Sequence, residues 1–453
     1  MQHNKLLFVL PFVYLLSGTE AAAQDPAVYL PPPGSNICRS TEAMEEYYKS
    51  NPAARKEQED REAFTQGFVN RAGRTIPFTP SIPTPAATAK YRIPVVFHVY
   101  GTSFWGRALP DAEIIAALAA TNQDWQALNT DFATVNNNFS SVKSGLSISF
   151  ELAQKDPNGN KTTGIDRKTT TGAGYGLVGT YDAQIAADAW DNTKYFNVYL
   201  VSDLYDDGTS TNSGVGWYPS VSMTNAKTAR VVYNGQYVGT NSDVGEFHSV
   251  LSHEFGHFLN LIHTFGAPDC NPGDNVSDTP ALSDAYNLGC PTSQTSNTPT
   301  SDCGSWVANT ENYMDYNGCY SCYKNFTLGQ MNRCEAALNL QDITRFPLWQ
   351  TSNLIATGLL TPTGVPDLAE VSTIRLAPNP SNGVIRAGID LPLSGNYSIR
   401  ILNSLGQLVF EEKLTDFTGT YTKDFDLSLY GKGMYLFVIS NDQSILTRKL
   451  IVN

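Results

Sequence analysis

Charge is scarce in this chain. Asp, Glu, Lys and Arg together make up 16% of its 453 residues, against roughly a quarter in an ordinary soluble domain. Positive charge is scarcer still, with 30 Lys and Arg set against 43 Asp and Glu, a formal net charge of −13. Nucleic acid and anionic membrane surfaces select basic patches, so neither is expected as a partner. No run reaches the ~18 uninterrupted apolar residues of a membrane-spanning helix, so no transmembrane span is expected in the mature protein. Histidine and cysteine are also sparse, at six and seven, and both are unevenly placed. His248, His253, His257 and His263 fall together, Cys270, Cys290, Cys303, Cys319, Cys322 and Cys334 follow them, and neither residue type recurs after Cys334.

What is present is enough to build cores: 41% hydrophobic and 11% aromatic residues, in a length that suggests roughly two to four folded units. The N-terminus reads MQHNK, LLFVLPFVYLL, SGTEAAAQ. A basic start, a short apolar run and small residues in that order are a signal peptide, residues 1–23, with cleavage expected after Ala23. Residues 24–90 are rich in Pro and charge, and TIPFTPSIPTPAATAK (75–90) resists both helix and strand. We read 24–90 as a pro-segment and linker. In an exported chain the six clustered cysteines imply up to three disulfides, in any of 15 pairings, and Cys38 is left over.

From Tyr91 the texture changes. RIPVVFHVY (92–100), LSISFELA (146–153) and YFNVYLVS (195–202) read as strands, and 111–132 reads as a helix with Ile114, Ile115, Leu118, Trp125 and Leu128 inward and Asp111 as its cap. A second helix is expected over 244–260, capped by Asp243 with Glu246 as reciprocal partner. The fold class is therefore α/β (α+β), with a mixed sheet and a helix that bears the site, over 91–350. A linker follows at 351–371. Over 372–453 the runs YSIRIL, LVFEEKL, YTKDFDL, MYLFVIS and LTRKLIV, separated by Gly and Asn turns, read as a small all-β sandwich.

The chemistry concentrates in HSVLSHEFGHFLNLIHTFG (248–266). On a helix, His253 and His257 lie one turn apart on one face and can grip a single zinc ion. Glu254 sits one residue round, poorly aimed to ligate but placed to take a proton from water and pass it to a leaving amine. Catalytic zinc usually keeps three protein ligands and one exchangeable position. His263 is the third candidate, yet a continuous helix would carry it roughly 240° round, facing away. The chain must bend between them, and Asn260 is the residue that tolerates a left-handed φ. His98, inside a strand, and His248, facing away from His253, are not ligand candidates.

HEFGHFLNLIH (253–263) resembles the metzincin zinc motif HExxHxxGxxH, with Asn260 where that family carries Gly. ENYMDY (311–316) resembles its Met-containing turn, which implies Met314 beneath the metal and Tyr316 beside it, donating its hydroxyl to the oxyanion of a tetrahedral intermediate. IPVVFHVY, ALNTDF, KDPNGNKTTGIDR, GVGWYP and GDNVSDTP, in this order, narrow the resemblance to the pappalysin metzincins over about 91–345. That resemblance implies a zinc endopeptidase acting on proteins and peptides, with the substrate laid beside an edge strand at or near GVGWYP. It implies a structural calcium held by Asp274 and Thr279, a Cys270–Cys303 bridge, Cys290 paired with Cys319 or Cys322, and Cys334 taking the remaining partner. It also gives Cys38 a role, a pro-segment thiolate that fills the open zinc position and keeps the chain latent. Relatives often cut before Arg or Lys using an acid after the Met-turn, where this chain has Asn317-Gly318, so a basic preference is not implied.

LAPNPSNG (376–383), ILNSLGQLVFEEKL (401–414), LSLYGKGMYLFVIS (427–440) and the closing TRKLIVN resemble the C-terminal sorting domain of type IX secretion. This implies the type IX machinery as a partner and a secreted or surface-attached protein of a Bacteroidetes-type bacterium. A monomer is expected. The alternative is a surface adhesin or scaffold with a non-catalytic zinc and a carbohydrate-binding tail.

Overall fold

The computed structural model describes residues 38–78, 88–104, 106–209, 212–238, 248–265, 270, 273–283, 288–316, 322–360, 373–404, 406–441 and 445–453. They fall into two compact units, Met1–Leu152 with Thr163–Trp349, and Ala153–Thr162 with Gln350–Asn453. The signal-peptide residues, the expected cap Asp243 with Glu246, and residues 361–372 lie outside the described residues.

The first unit opens with two helices that the Pro-rich reading of 24–90 did not anticipate, α1 (Ser40–Ser50) and α2 (Pro52–Ala72). Pro52 occupies the first turn, where its missing N–H costs nothing. The sheet follows: β1 (Tyr91–Tyr100), then helix α3 (Asp111–Trp125), β2 (Ile148–Leu152), β3 (Ile165–Lys168), β4 (Phe196–Val201), β5 (Gly214–Gly216) and β6 (Val231–Asn234). Its order is β2-β1-β4-β6-β5, with β3 continuing the line of β2 along β1. Every pair is parallel except β5 with β6. The result is a mixed sheet with one short antiparallel edge strand.

All ten residues of β1 are buried, as a strand covered on both faces must be. Val95, Phe97 and Val99 face the larger cluster; Tyr100, Tyr199, Val201 and Val232 face a second one. Helix α3 ends at Trp125, short of the expected 132, and Ala127 takes φ 58° just beyond it. Ile114, Leu118 and Trp125 are buried, but Ile115 is 51% exposed. Adjacent positions on a helix lie about 100° apart and cannot both face one core. Asp111 is the first helical residue, with Pro110 at the cap position.

Helix α4 (His248–Phe258) crosses under the sheet. Phe258 stacks on Phe196 at 3.6 Å between ring centroids, and Phe255 meets Phe150 edge-on at 4.7 Å. Helix α5 (Leu328–Asn339) starts with a reciprocal cap between Thr327 and Gln330. Bridges join Cys270 to Cys303 and Cys290 to Cys322. Cys334, expected in a third bridge, is instead a free, buried thiol on α5, because it points into the apolar cluster with Met331 and Leu338. Cys319 lies outside the described residues.

The second unit is all-β: β7 (Thr373–Ala377), β8 (Val384–Asn403), β9 (Leu408–Asp426), β10 (Gly433–Ser440) and β11 (Ile445–Val452). All five belong to one sheet, ordered β7-β8-β10-β11 with β9 also on β8. The stretch around Gly419 between LVFEEKL and YTKDFDL, expected as a turn, instead lies within β9, opposite register shifts at Leu391, Gly395 and Tyr397 of β8, the behaviour of a bulge. This lets one sheet curl round a single apolar cluster that includes Ile389, Ile399, Phe425, Phe437 and Leu450.

Phe258 ties helix α4 to the sheet and also carries the Arg345 guanidinium 3.5 Å from its ring centroid. Truncation to Ala is expected to lower unfolding free energy by about 3–5 kcal/mol, read as a drop in denaturation midpoint. A cost below about 1 kcal/mol would show that this packing does not hold the helix in place.

Candidate metal and catalytic site

Helix α4 ends at Phe258, one residue after His257, and its ending shapes the site. Asn260 takes φ 72°, Leu261 N–H donates to Gly256 O at 2.8 Å, and Asn260 N–H donates to His257 O at 2.9 Å. This is a Schellman-type C-cap with Asn in the left-handed position. Arg333 Nε donates to Asn260 O at 2.6 Å and Gln58 Nε2 to Asn260 Oδ1 at 3.2 Å, so the bend is held from both sides. Beyond it the chain reverses and His263 returns to the helix.

The three Nε2 atoms converge, at 3.1 Å for His253–His257, 3.0 Å for His257–His263 and 3.2 Å for His253–His263. Ligands at ~2.0–2.1 Å on a tetrahedral ion would stand about 3.3 Å apart. His253 Nδ1 donates to Tyr313 O at 2.6 Å and His257 Nδ1 to Leu261 O at 2.8 Å, which leaves the Nε2 lone pairs inward. Thr41 Oγ1 lies 3.2 Å from His263 Nδ1. Burial pushes His253 down to about 4, and burial with the neighbouring imidazoles pushes His257 and His263 well below the usual histidine range. Three neutral imidazoles aimed at one point suit a divalent cation and little else.

Cys38 completes the cluster. Its Sγ is 3.5 Å from His257 Nε2, and the four candidate ligand atoms lie within 4.8 Å of one another. Cys38 bridges in parallel to Gly214 of the edge strand β5, and Ser40 Oγ accepts from Gly216 N at 2.8 Å. The N-terminal segment thus runs along β5 through the site. Burial first, then the Glu254 charge, raises the Cys38 thiol well above its ordinary value.

Glu254 lies beneath the edge strand with Oε2 3.6 Å from Cys38 Sγ and 3.5 Å from Ser40 Oγ. Its Oε1 is buried with no hydrogen-bond partner among the described residues. Burial pushes its carboxyl up to about 8. Two glycines permit this closeness: a Cβ at Gly214 would stand 2.6 Å from Glu254 Oε1, and one at Gly216 2.7 Å from Glu254 O. Gly256 plays the same part below, where a Cβ would meet Met314 Sδ at 2.4 Å.

Met314 is fully buried under the histidines. Its turn is pinned by a paired amide contact, Asn312 Nδ2 to Gln330 Oε1 at 2.9 Å and Gln330 Nε2 to Asn312 Oδ1 at 3.0 Å. Tyr316 is buried beside His263, ring centroids 4.8 Å apart, and its hydroxyl donates to Cys38 O. Asp274 and Thr279 meet each other, Thr279 Oγ1 donating to Asp274 Oδ1 at 2.7 Å, and burial pushes Asp274 up to about 7. His98 is fully buried in β1 between Asp166 at 3.2 Å and Asn197 at 2.9 Å, away from the cluster. Asn317 and Gly318 lie outside the described residues.

Sequence reasoning missed Ser40, Thr41, Gly214, Gly216, Arg333 and the Asn312–Gln330 pair. It also missed Asp124, buried at the end of α3, which accepts Ser252 Oγ at 2.6 Å and bonds the Tyr313 side chain. GVGWYP is expected at the edge strand, but the closeness of Gly214 and Gly216 to Glu254 is not, though glycine in a strand often marks a close backbone approach; no motif announced the others.

A zinc-type histidine tripod with an adjacent carboxylate, on a helix under a mixed sheet and above a Met-turn, defines a metzincin-class metalloendopeptidase. Residues 179–339 match the family described as pregnancy-associated plasma protein-A, and 375–453 match the secretion-system C-terminal sorting domain. Residues 179–339 thus carry a pappalysin-type peptidase domain. An extracellular metalloprotease of Arthroderma benhamiae is 28% identical over 264 residues, covering 56% of this chain and 80% of that protein. One of Podospora anserina is 30% identical over 198 residues, covering 41% of this chain and 58% of that one. A mutant of Tannerella forsythia promirolysin superposes with TM-score 0.53 at 27% identity, over 71% of this chain and 98% of that one. Mature mirolysin of the same organism, in complex with a cleaved peptide, gives TM-score 0.50 at 29% identity, over 60% and 98%. The chain is a secreted or cell-surface zinc endopeptidase with a sorting tail. No helix among the described residues is long and apolar enough to cross a membrane.

Burial pushes Asp124 up to about 7 from 3.8. The folded protein then holds a proton that the unfolded chain releases, so stability falls as pH rises from about 4 to 7. Asp124→Asn is expected to flatten that slope, by a few kcal/mol at most, in denaturant titrations across this range. An unchanged slope would contradict a buried, protonated carboxyl.

Proposed function

We propose that the chain is made as a latent zymogen whose site is His253, His257 and His263 holding zinc, Glu254 as general base and then acid, Tyr316 as oxyanion donor and Met314 as the floor. The observation that carries this reading is the convergence of three unprotonated Nε2 atoms at 3.0–3.2 Å beside a buried carboxylate. The bound zinc supplies Lewis-acid polarisation and a water acidified toward neutral pH. Everything else is done by the chain. Glu254, whose Oε2 lies beside the cluster next to Cys38 Sγ, takes a proton from the attacking water and returns it to the leaving amine. Tyr316 donates to a backbone carbonyl of the N-terminal segment, and the same hydroxyl serves a substrate carbonyl oxygen as charge builds there. The glycine strand β5 brings an extended peptide directly over Glu254.

In the described form the cluster has four protein donors, the number of a closed structural site. Its reading as catalytic rests on Cys38 belonging to a removable segment. A divalent cation reverses the cost of a buried thiolate, so Cys38 fills the open position until the segment leaves. The wider coverage by promirolysin than by mature mirolysin, 71% against 60% of this chain, supports a zymogen. In this reading residues 1–23 are the signal peptide, 24–90 the pro-segment and linker, 91–350 the catalytic domain, 351–371 a linker and 372–453 the sorting domain. The protein acts as a monomer, exported by type IX machinery in a Bacteroidetes-type bacterium. A calcium at Asp274 and Thr279 belongs to the same reading, since it would relieve the cost of burying that carboxylate.

Casein hydrolysis by the processed protein tests the reading. A chelator is expected to abolish it and zinc to restore it. Glu254→Ala is expected to lower kcat by at least about 10³-fold with zinc retained. Equal activity in the variant would end this mechanism. Cys38→Ala is expected to raise the basal hydrolysis of a short peptide by the unprocessed chain above that of the wild type, and a variant as silent as the wild type would remove the thiol's part in the switch. For calcium, Asp274→Asn is expected to abolish a calcium-dependent rise in melting temperature; no such rise in the wild type would count against the ion.

A further inference from the structure

The N-terminal segment makes a second set of contacts that owe nothing to the metal. On α2, Glu62 grips the buried Arg333 guanidinium at 2.9 Å and 2.6 Å. The same arginine holds the Asn260 carbonyl. One residue earlier, Arg61, only 1% exposed, donates to Asp342 Oδ2 at 2.9 Å and to Glu57 of its own helix at 2.9 Å. Past the helix end, Arg74 pairs with Glu335 at 3.1 Å, its N–H donates to Asn332 Oδ1 at 2.8 Å and its carbonyl accepts from Asn332 Nδ2 at 2.9 Å. The signs alternate on both sides: plus, minus, plus on the segment meets minus, plus, minus on the body. A segment shifted along this face would set like charges together. Beside it, α1 buries Met44, Tyr47 and Tyr48 in the second apolar cluster with Val215 and Trp217.

We propose that this face, built from Arg333, Glu335, Asp342 and Asn260, is a docking surface for the N-terminal helices that works independently of Cys38. A single cut after residue 78 therefore leaves the segment bound, and the free segment rebinds the mature enzyme in trans as an inhibitor. Activation then needs destruction of the segment as well as its severance. Removing one member of a buried ion pair strands the other's charge, so loss of Glu62 or reversal of Arg61 weakens the hold far more than loss of the thiol. The proposal extends the latency reading, and its test does not depend on peptidase activity.

The experiment places a recognition site for a specific protease between residues 79 and 87 of the full chain, cuts it, and follows both fragments by size-exclusion chromatography at roughly micromolar concentration. Wild type and Cys38→Ala are expected to co-elute with the segment. Glu62→Ala and Arg61→Glu are expected to release it, with affinity at least about 100-fold weaker. Arg61→Glu combined with Asp342→Lys is expected to restore co-elution, which separates a lost contact from a misfolded variant. Separation of the cut wild type, release by Cys38→Ala alone, or unchanged binding in both Glu62→Ala and Arg61→Glu would each overturn the proposal. A chain without proteolytic activity would still hold or release the segment in the same way, and a failed docking surface would leave zinc-dependent hydrolysis untouched.

Discussion

Everything in the site depends on where helix α4 stops. Two histidines one turn apart are a common product of helical geometry, but the third must come from a chain that has reversed. Asn260 at φ 72° makes that reversal. The same cap places Leu261 O where it receives the His257 Nδ1 proton, so one backbone event both returns His263 and sets the tautomer of His257. The bend is braced rather than free. Arg333 holds its carbonyl, and Met314 fills the space that Gly256 leaves open. An L-residue other than glycine costs roughly a kilocalorie or two in this conformation, least for Asn and Asp, and these braces offset it.

Closeness of backbone to side chain is the second constraint. β5 passes close over Glu254 without side chains at Gly214 and Gly216, and Cys38 and Ser40 cover its other carboxyl oxygen. A side chain at either glycine could not fit at this separation, so the strand would have to stand further off. The edge strand therefore sets how closely the backbone approaches Glu254. In the described form the N-terminal segment runs along that strand, with Cys38 beside Gly214 and Ser40 on Gly216 N.

Much of this was legible in the residues. The buried strand at 91–100 announced itself by an unbroken β-branched and aromatic run, and the bend at Asn260 followed from the angle His263 would otherwise take. The rest was hidden for physical reasons. Helix α2 is polar and weakly amphipathic because one face meets charged groups of the body, such as Arg333 and Asp342, which hydrophobic periodicity does not record. Ile115 was misplaced because composition shows apolar residues and not which side of a helix they take. Cysteine counting suggested a third bridge, whereas Cys334 behaves as a small core residue. The long β9 was read as two shorter strands because a glycine such as Gly419 serves a turn and an irregular stretch of a continuous strand equally well.

The central claim is that His263, swung round by Asn260, shares one metal ion with His253 and His257. Metal analysis of the purified chain and its His263→Ala variant, with a competing chelator, tests it most directly. The account predicts one zinc per wild-type chain and a variant that surrenders zinc to the chelator far more readily while its tail domain stays folded. A wild type that binds no zinc, or a variant that keeps it with undiminished affinity, would contradict it.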